Sequence, residues 1–542
     1  MPEKATTKGN SEHSEDTEPR TWIENQGKKW APAFRILILG IICVIAVLSR
    51  VFSVIRYESV IHEFDPWFNF RATKILSEQG FYPFKYWIDQ EAWYPLGRYS
   101  GHTLFPGLMM TAWIMHKIAN NILMFPLDIR EVCVFTAPVF SAFTAIVTYL
   151  LTVEITKKTE RGLFSALFMA IIPSYMSRSV AGSYDNEAVA IFALVFAFYT
   201  FVRALNRGSL FTGLVAALGF YYMVLTWGGY VFVLGLISLY VVGLMLVEKF
   251  NAKVYIAFSI FYVIGNLLSL TMPFVSIWAV WESTEHLPSH VAFIFMNFYM
   301  LTQFVRNNLS KEKFDFLTKA VIRIGIFLVV AGFLYILVMG KTTAGHRILT
   351  LINPVYAKKH NPLVASISEH QPTAWSSYFF DLHYTLLFAP IGIYVALRQP
   401  NQAKLFIAAY GLLAVYFASV MIRLLLAAAP ATCILSGMGV SFVVSQICDS
   451  IRHNLSWFFS LFSRSKDDDG DEDGAKRKKA KQAQKNVSKI PLEFGVIGLL
   501  FIAYLVCKTI FHGTWSGAEA YSHPSIIMCK SINPKNSKIK KF

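Results

Sequence analysis

Little of this sequence is charged. Only 15% of its 542 residues are Asp, Glu, Lys or Arg, against 55% hydrophobic, whereas soluble domains carry about one-quarter charged residues. That deficit excludes an ordinary soluble enzyme or binding domain. Cysteine is sparse as well: Cys43, Cys133, Cys433, Cys448, Cys507 and Cys529 lie mostly in or beside apolar runs, with no CxxC spacing. A thiolate metal centre or a disulfide framework is excluded, and the cysteines read as small apolar residues. The apolar runs lack the period-two alternation and short length of barrel strands, which excludes an outer-membrane barrel. The N-terminus, "MPEKATTKGNSEHSEDTEPR", has no cleavable signal-peptide pattern. The net charge is +16, but no basic stripe interleaves with exposed aromatics, so nucleic acid is not expected as a partner.

What the chain does contain is long apolar runs, with a mean hydropathy of +0.45. They recur from end to end at a length that spans a bilayer, and lipid admits only helices or closed barrels. The expected fold is an all-α polytopic membrane protein of about 13 transmembrane helices. The first, from about Phe34 to Ile55, serves as an uncleaved anchor. Later spans begin near Val134, Leu163, Ala188, Leu210, Tyr230, Val254, Val291, Val321, Ser377, Leu405, Leu425 and Phe494.

The stretch "TLFPGLMMTAWIMHKIA" (residues 103–119) decides the topology, because counting it as a span reverses every later loop. The basic connectors at Lys157, Arg203, Glu248, Arg306 and Arg398 share the side of "GKKW" only if it does not cross. It is therefore assigned to a long first non-cytosolic loop, 56–132, lying along the interface. The domain organisation follows: a disordered cytosolic N-terminus, 1–33, then a transmembrane domain, 34–513, with a second non-cytosolic loop at 341–374. A charged cytosolic loop at 452–490 holds the acidic and basic blocks of residues 464–485, read as solvated disorder. A non-cytosolic stub, 514–542, ends the chain. The sequons at Asn308, Asn454 and Asn486 then fall in the cytosol and should carry no glycan.

With that topology the acidic residues gather at one membrane face. Asp65 follows the first span, Asp185 and Glu187 precede the fourth, and Glu369 precedes the tenth. Such carboxylates can converge on a hard divalent cation, which takes oxygen ligands. Each also has a plainer reading. Acids at a helix N-terminus are favoured by its dipole, Asp65 before Pro66 opens a turn, and Glu369 suits a solvated loop. Arg423, inside "FASVMIRLLLAAAP", lies near the same face and needs an anionic partner, either a phosphate or one of these carboxylates. Arg178, seven residues before Asp185, joins the cluster or caps a helix end.

The motifs "YESVIHEFDPWFNFRATKIL", "AWYPLGR", "SRSVAGSYDNEAVAIF", "WGGYVF", "ASISEHQPTAWSSYFFDLH" and "VMIRLLLAAAPATCILSGMGVS", in that order, resemble the catalytic subunit of eukaryotic oligosaccharyltransferase. The resemblance implies a metal-dependent inverting glycosyltransferase of the endoplasmic reticulum membrane, with a cytosolic N-terminus and a lumenal active face. It would transfer oligosaccharide from dolichyl pyrophosphate to Asn of N-x-S/T. It implies Mn²⁺ or Mg²⁺ held by Asp65, Asp185 and Glu187, with Asp65 and Glu369 engaging the acceptor amide. Arg423 would bind the donor pyrophosphate and Arg178 would be needed for activity. Glu63, Ser366 and Ser368 would support these motifs. The implied partners are the lipid-linked donor, the acceptor polypeptide, other oligosaccharyltransferase subunits and the translocon. A channel or transporter with a buried acidic metal site fits the hydropathy but not this motif series.

The likeness stops after "AEAYSHPSI". Members of the family continue into a lumenal domain with a WWDYG motif that reads the sequon, and no "WWD" occurs here. The expectation is a chain with the membrane half of the enzyme and without its C-terminal lumenal domain. It would be either a longer enzyme cut short by a gene-model or splicing artefact, or a short non-catalytic isoform that binds donor lipid or partner subunits.

Overall fold

The computed structural model describes residues 19–272, 285–308, 366–463 and 491–520, with scattered positions between them. The expected tail 1–18, the span near Val321, most of the loop 341–374, the charged block 464–485 and residues from 521 onward lie outside the described residues. Within them the chain is helical and has no strand, only one isolated bridge between Asp89 and Arg98.

Five of the expected spans begin within six residues of a capping side chain. Asp128 caps α6 (Ile129–Thr156) by accepting from Arg130 N, and Asp185 caps α9 (Asn186–Arg207) by accepting from Asn186 N. Ser209, Asn251 and Asn401 cap α10 (Leu210–Thr226), α12 (Ala252–Ser269) and α16 (Gln402–Val420) in the same way. Each polar side chain satisfies a backbone N–H that an apolar residue would leave orphaned. The remaining long elements are α1 (Pro19–Leu48), α17 (Leu425–Ser463) and α18 (Leu492–Ala520). Shorter helices are α2 (Phe52–Tyr57), α3 (Phe64–Gln79), α4 (Phe81–Lys85), α5 (Gly107–Lys117), α7 (Thr159–Ile171), α8 (Pro173–Met176) and α11 (Tyr230–Leu246). α13 (Leu287–Asn308), α14 (Trp375–Leu382) and α15 (Thr385–Arg398) complete the set.

Seven of these helices are long and apolar enough to cross a bilayer, or eight if one bent pair counts as a span. The chain is an all-α polytopic membrane protein. α5, within the ambiguous stretch 103–119, has 11 residues and runs on directly into a π-helical segment, Ile118–Ile122. The span expected near Ser377 is instead two helices, α14 and α15, bent by 85°. The chain turns there at His383, whose φ of +48° ends the regular helix.

α9 and α17 form the inner layer, with 78% and 94% of their apolar windows buried, while α1 and α18 lie outermost at 11% and 22%. α17 packs on α15, α7 and α16, and α9 on α6 and α10. Close approach of α15 to α17 depends on Gly392, where a Cβ would meet Leu435 O at 1.9 Å, the small-residue contact typical of membrane helices. Thr136, Thr144, Thr148, Thr152 and Thr156 of α6 are buried, and each donates to the carbonyl four residues earlier. A polar side chain in an apolar interior is thereby satisfied within its own helix. The inner helices position charge because Glu187 lies in the first turn of one of them and Arg423 lies in the 3₁₀ turn that leads into the other.

Candidate active site

The site is built on one irregular segment, residues 177–185, between α8 and α9. Gly182 holds it open at φ +93°, where an added Cβ would stand 2.3 Å from Val60 O. Arg50, fully buried after α1, donates from Nε to Ser179 Oγ at 2.7 Å and from Nη1 to Ala46 O and Ala170 O. The Arg50 carbonyl accepts from Ala181 N, and Ser53 Oγ donates to Ala181 O. These bonds pin the segment that carries Arg178 at one end and Asp185 with Glu187 at the other.

α3 docks against the same segment. Asn69, buried one turn after Asp65, donates to Tyr184 O at 3.2 Å and to Asp185 Oδ1 at 3.5 Å. Thr73 Oγ1 meets the Tyr184 hydroxyl at 2.8 Å. Asp65 itself lies exposed in the first turn of α3. Glu369 sits in a short 3₁₀ turn, Ser368–His370, tied to the α16–α17 junction by Ile422 N donating to Gln371 O and Thr373 N to Ser419 O. That junction, Ile422–Leu424, carries Arg423.

Four expected residues close into a ring of alternating charge. Arg178 contacts Glu369 at 2.5 Å and Glu187 at 3.5 Å, while Arg423 contacts Glu187 at 3.0 Å and Glu369 at 3.8 Å. Glu187 is only 3% exposed, whereas the other three are about a third exposed or more, facing a cavity of about 290 Å³. Ser368 and Asp381 line that cavity too. The hydrogen bond from Arg178, with its charge and that of Arg423, holds the Glu369 carboxyl below the usual range. Burial opposes the Arg178 cation, but Glu187 and Glu369 raise its pKa overall. Burial and then the charge of Glu187 push Asp185 up to about 6, with Asp65 adding to the shift.

Other expected residues stand around this ring. Asp65 is near enough to be felt by Asp185, and Glu63, at φ +70°, is near enough to raise the Arg178 pKa. Ser366 is exposed beside the Glu369 turn. The donor chemistry expected to hold a divalent cation is all carboxylate oxygen, which fits a hard ion. The repulsion on Asp185 is of the kind a cation relieves. Among the described residues, however, no three His, Cys, Asp or Glu side chains stand close enough together to hold a metal ion. Glu187 is turned onto Arg423 instead. Asp381, Asn69 and Arg50 had no role in the sequence reading. An acid in the apolar helix "SSYFFDL" was the available signal for Asp381; Asn69 and Arg50 show their importance only once the chain folds.

The sequence profile of the family described as "Oligosaccharyl transferase STT3, N-terminal" matches residues 33–436. The chain belongs to this family. It is 43% identical over 502 residues to the dolichyl-diphosphooligosaccharide–protein glycosyltransferase subunit STT3B of Arabidopsis thaliana, covering 91% of this chain and 66% of that one. The chain thus spans slightly under two thirds of the length of this relative, and the same share of the Caenorhabditis elegans subunit. The fold is that of the Archaeoglobus fulgidus oligosaccharyltransferase AglB, solved with an inhibitory peptide and a dolichol-phosphate. The TM-score is 0.64 at 16% identity, over 90% of this chain and 56% of that one. Another structure of the archaeal oligosaccharyltransferase, in complex with Zn and sulfate, matches with a TM-score of 0.58 at 16% identity, over 89% and 53% of the two chains.

Proposed function

We propose that this family member carries the transfer chemistry of protein N-glycosylation: an oligosaccharide passes from dolichyl pyrophosphate to the side-chain amide of Asn in N-x-S/T. The observation that carries this reading is the ring of Arg178, Glu187, Arg423 and Glu369 around one cavity. Two guanidinium groups, a chemistry suited to phosphate, stand there beside carboxylates able to take up an amide proton. The names of the relatives, which specify dolichyl-diphosphooligosaccharide as donor, support it.

An amide nitrogen is a poor nucleophile because its lone pair is delocalised into the carbonyl. Carboxylates of Asp65 and Glu369 accept its two N–H bonds and weaken that delocalisation. The nitrogen attacks the sugar C1 from the face opposite the leaving group, and the C1–O bond breaks. The electron pair leaves with dolichyl pyrophosphate, and the amide proton passes to a carboxylate. No covalent enzyme intermediate is needed. Arg423 and Arg178 neutralise the pyrophosphate as its charge grows, electrostatic stabilisation commonly worth about 3 kcal/mol. A divalent ion, Mn²⁺ or Mg²⁺, held by Asp65, Asp185 and Glu187, would add Lewis-acid stabilisation of the leaving group.

The same reading sets the chain in the endoplasmic reticulum membrane with about 13 spans, a cytosolic N-terminus and the cavity facing the lumen. The loops 56–132 and 341–374 and the segment 514–542 are then lumenal, and 1–33 and 452–490 cytosolic. Its partners are the lipid-linked donor, the acceptor polypeptide, other oligosaccharyltransferase subunits and the translocon. Complementation of cells lacking the enzyme tests the activity. Restored sequon occupancy that disappears with Asp65→Ala, while complex assembly persists, supports the proposal; occupancy unchanged by Asp65→Ala sinks it. A glycan on Asn308 would overturn the orientation.

A further inference from the structure

The cavity holds one carboxyl more than its cations answer. Glu187 and Glu369 are each shared between Arg178 and Arg423. Asp381 lines the same cavity, yet among the described residues it has no hydrogen bond or ion pair. Asp381 is half-buried at the cavity wall, and a carboxylate partly withdrawn from water without a partner is costly.

Its helix holds it in place. On α14 the neighbouring Tyr378 and Leu382 are buried, and the Tyr378 hydroxyl donates to Val415 O at 3.1 Å. Phe379 and Phe380 point outward and are exposed. The turn at His383 then sends α15 away at 85°, so α14 ends at the cavity rather than running on past it. Asp381 is therefore a fixed acceptor and not a mobile surface acid.

We propose that Asp381 accepts a hydrogen bond from a hydroxyl of the sugar joined to the donor pyrophosphate. The site would then read that first sugar as well as the phosphates. This rests on the function proposed above. A carboxylate repels phosphate and accepts from O–H, whereas guanidinium groups do the reverse. A glycosyl pyrophosphate has both halves, an anionic one for Arg178 and Arg423 and a hydroxyl-bearing one for Asp381. Glu187 and Glu369 cannot serve the sugar equally well, because each is already engaged by two arginines.

The test uses the full chain in lipid nanodiscs and measures direct binding of farnesyl pyrophosphate, N-acetylglucosaminyl farnesyl pyrophosphate and a sequon peptide. Asp381→Asn should weaken the sugar-bearing ligand roughly ten- to hundredfold, the loss expected for a hydrogen bond to a charged group. It should leave farnesyl pyrophosphate within about twofold, which also shows that the variant is folded. Arg423→Met should weaken both ligands. The proposal is overturned if Asp381→Asn weakens both isoprenyl ligands alike, changes neither, or weakens the sequon peptide instead. If the unmodified chain binds neither isoprenyl ligand, the functional reading itself fails and takes this inference with it.

Discussion

Arg423 and Glu187, 236 positions apart in the chain, are joined by two hydrogen bonds to one carboxylate oxygen, Nε at 3.2 Å and Nη2 at 3.0 Å. One residue opens α9 and the other precedes α17, so a single contact locks the ends of the two innermost helices. The two partners differ in exposure, 3% for Glu187 and 39% for Arg423, and that asymmetry makes the contact testable.

Removing the arginine strands a buried carboxylate, whose one other cation among the described residues, Arg178, stands 3.5 Å away. Arg423→Met should cost about 2–4 kcal/mol. Glu369→Gln, at the solvated side of the ring, should cost less than about 1 kcal/mol. Thermal unfolding in detergent should show a large drop for the first and a small one for the second. Equal drops would mean that the energy of the ring does not lie at Glu187.

Gly182→Ala tests the segment that places the site. The new methyl meets Val60 O at 2.3 Å, beside the His62 ring, at a φ of +93° that side chains rarely adopt. The expected loss is about 2 kcal/mol or more. Gly40→Ala, with nothing within 4 Å of the new Cβ, is the control, and the same unfolding measurement should leave it at or above the parent.

Arg50 anchors the same segment through Ser179, and is itself held by Ala170, Ala46 and Ser49, with no carboxylate partner among the described residues. Arg50→Met removes a buried charge together with its four hydrogen bonds, so the net stability change is small beside the local one. Amide hydrogen exchange should quicken at residues 179–183 and stay unchanged in the middle of α9. Unchanged protection at Ser179 and Ala181 would dismiss the anchoring role.

Asp185 carries a pH signature. Its pKa in the fold is about 6, above the ordinary 3.8, so the fold prefers the protonated acid. The stability this contributes is complete below about pH 4 and is lost as pH rises through about 6, on the order of 3 kcal/mol in all. A divalent cation should offset the loss. Added Mn²⁺ should raise the melting temperature at pH 7.5 and not at pH 4, and Asp185→Asn should flatten both the pH and the Mn²⁺ responses. A melting temperature that Mn²⁺ leaves unmoved at pH 7.5 would remove the case for a cation at Asp185.

Much of the architecture was legible because membrane helices announce themselves. Apolar runs of spanning length, with Asp128, Ser209, Asn251 and Asn401 before them, mark where helices begin, and those are local properties. The broken span at Ser377 was not legible, since "SSYFFDLHYTLLFAPIGIYVALR" reads as one hydropathic run. The reversal at His383 and the 85° bend follow from where Tyr378, Leu382 and Thr385 pack.

The sequence alone determined the solvent of this protein, its helical class, its family motifs and the identities of the charged residues at the site. Which charge meets which was decided only by the tertiary structure. Arg178 was open to more than one reading, Glu187 was a candidate metal ligand, and Asp381 and Asn69 had no assignment. Packing α9 against α6 and α17 against α7 carried Glu187 and Arg423 together, buried the carboxylate and closed the ring with Glu369 and Arg178. The physical reason is range. Helix-forming tendency and hydropathy act over a few residues, whereas a buried ion pair depends on distances set by every helix between its partners.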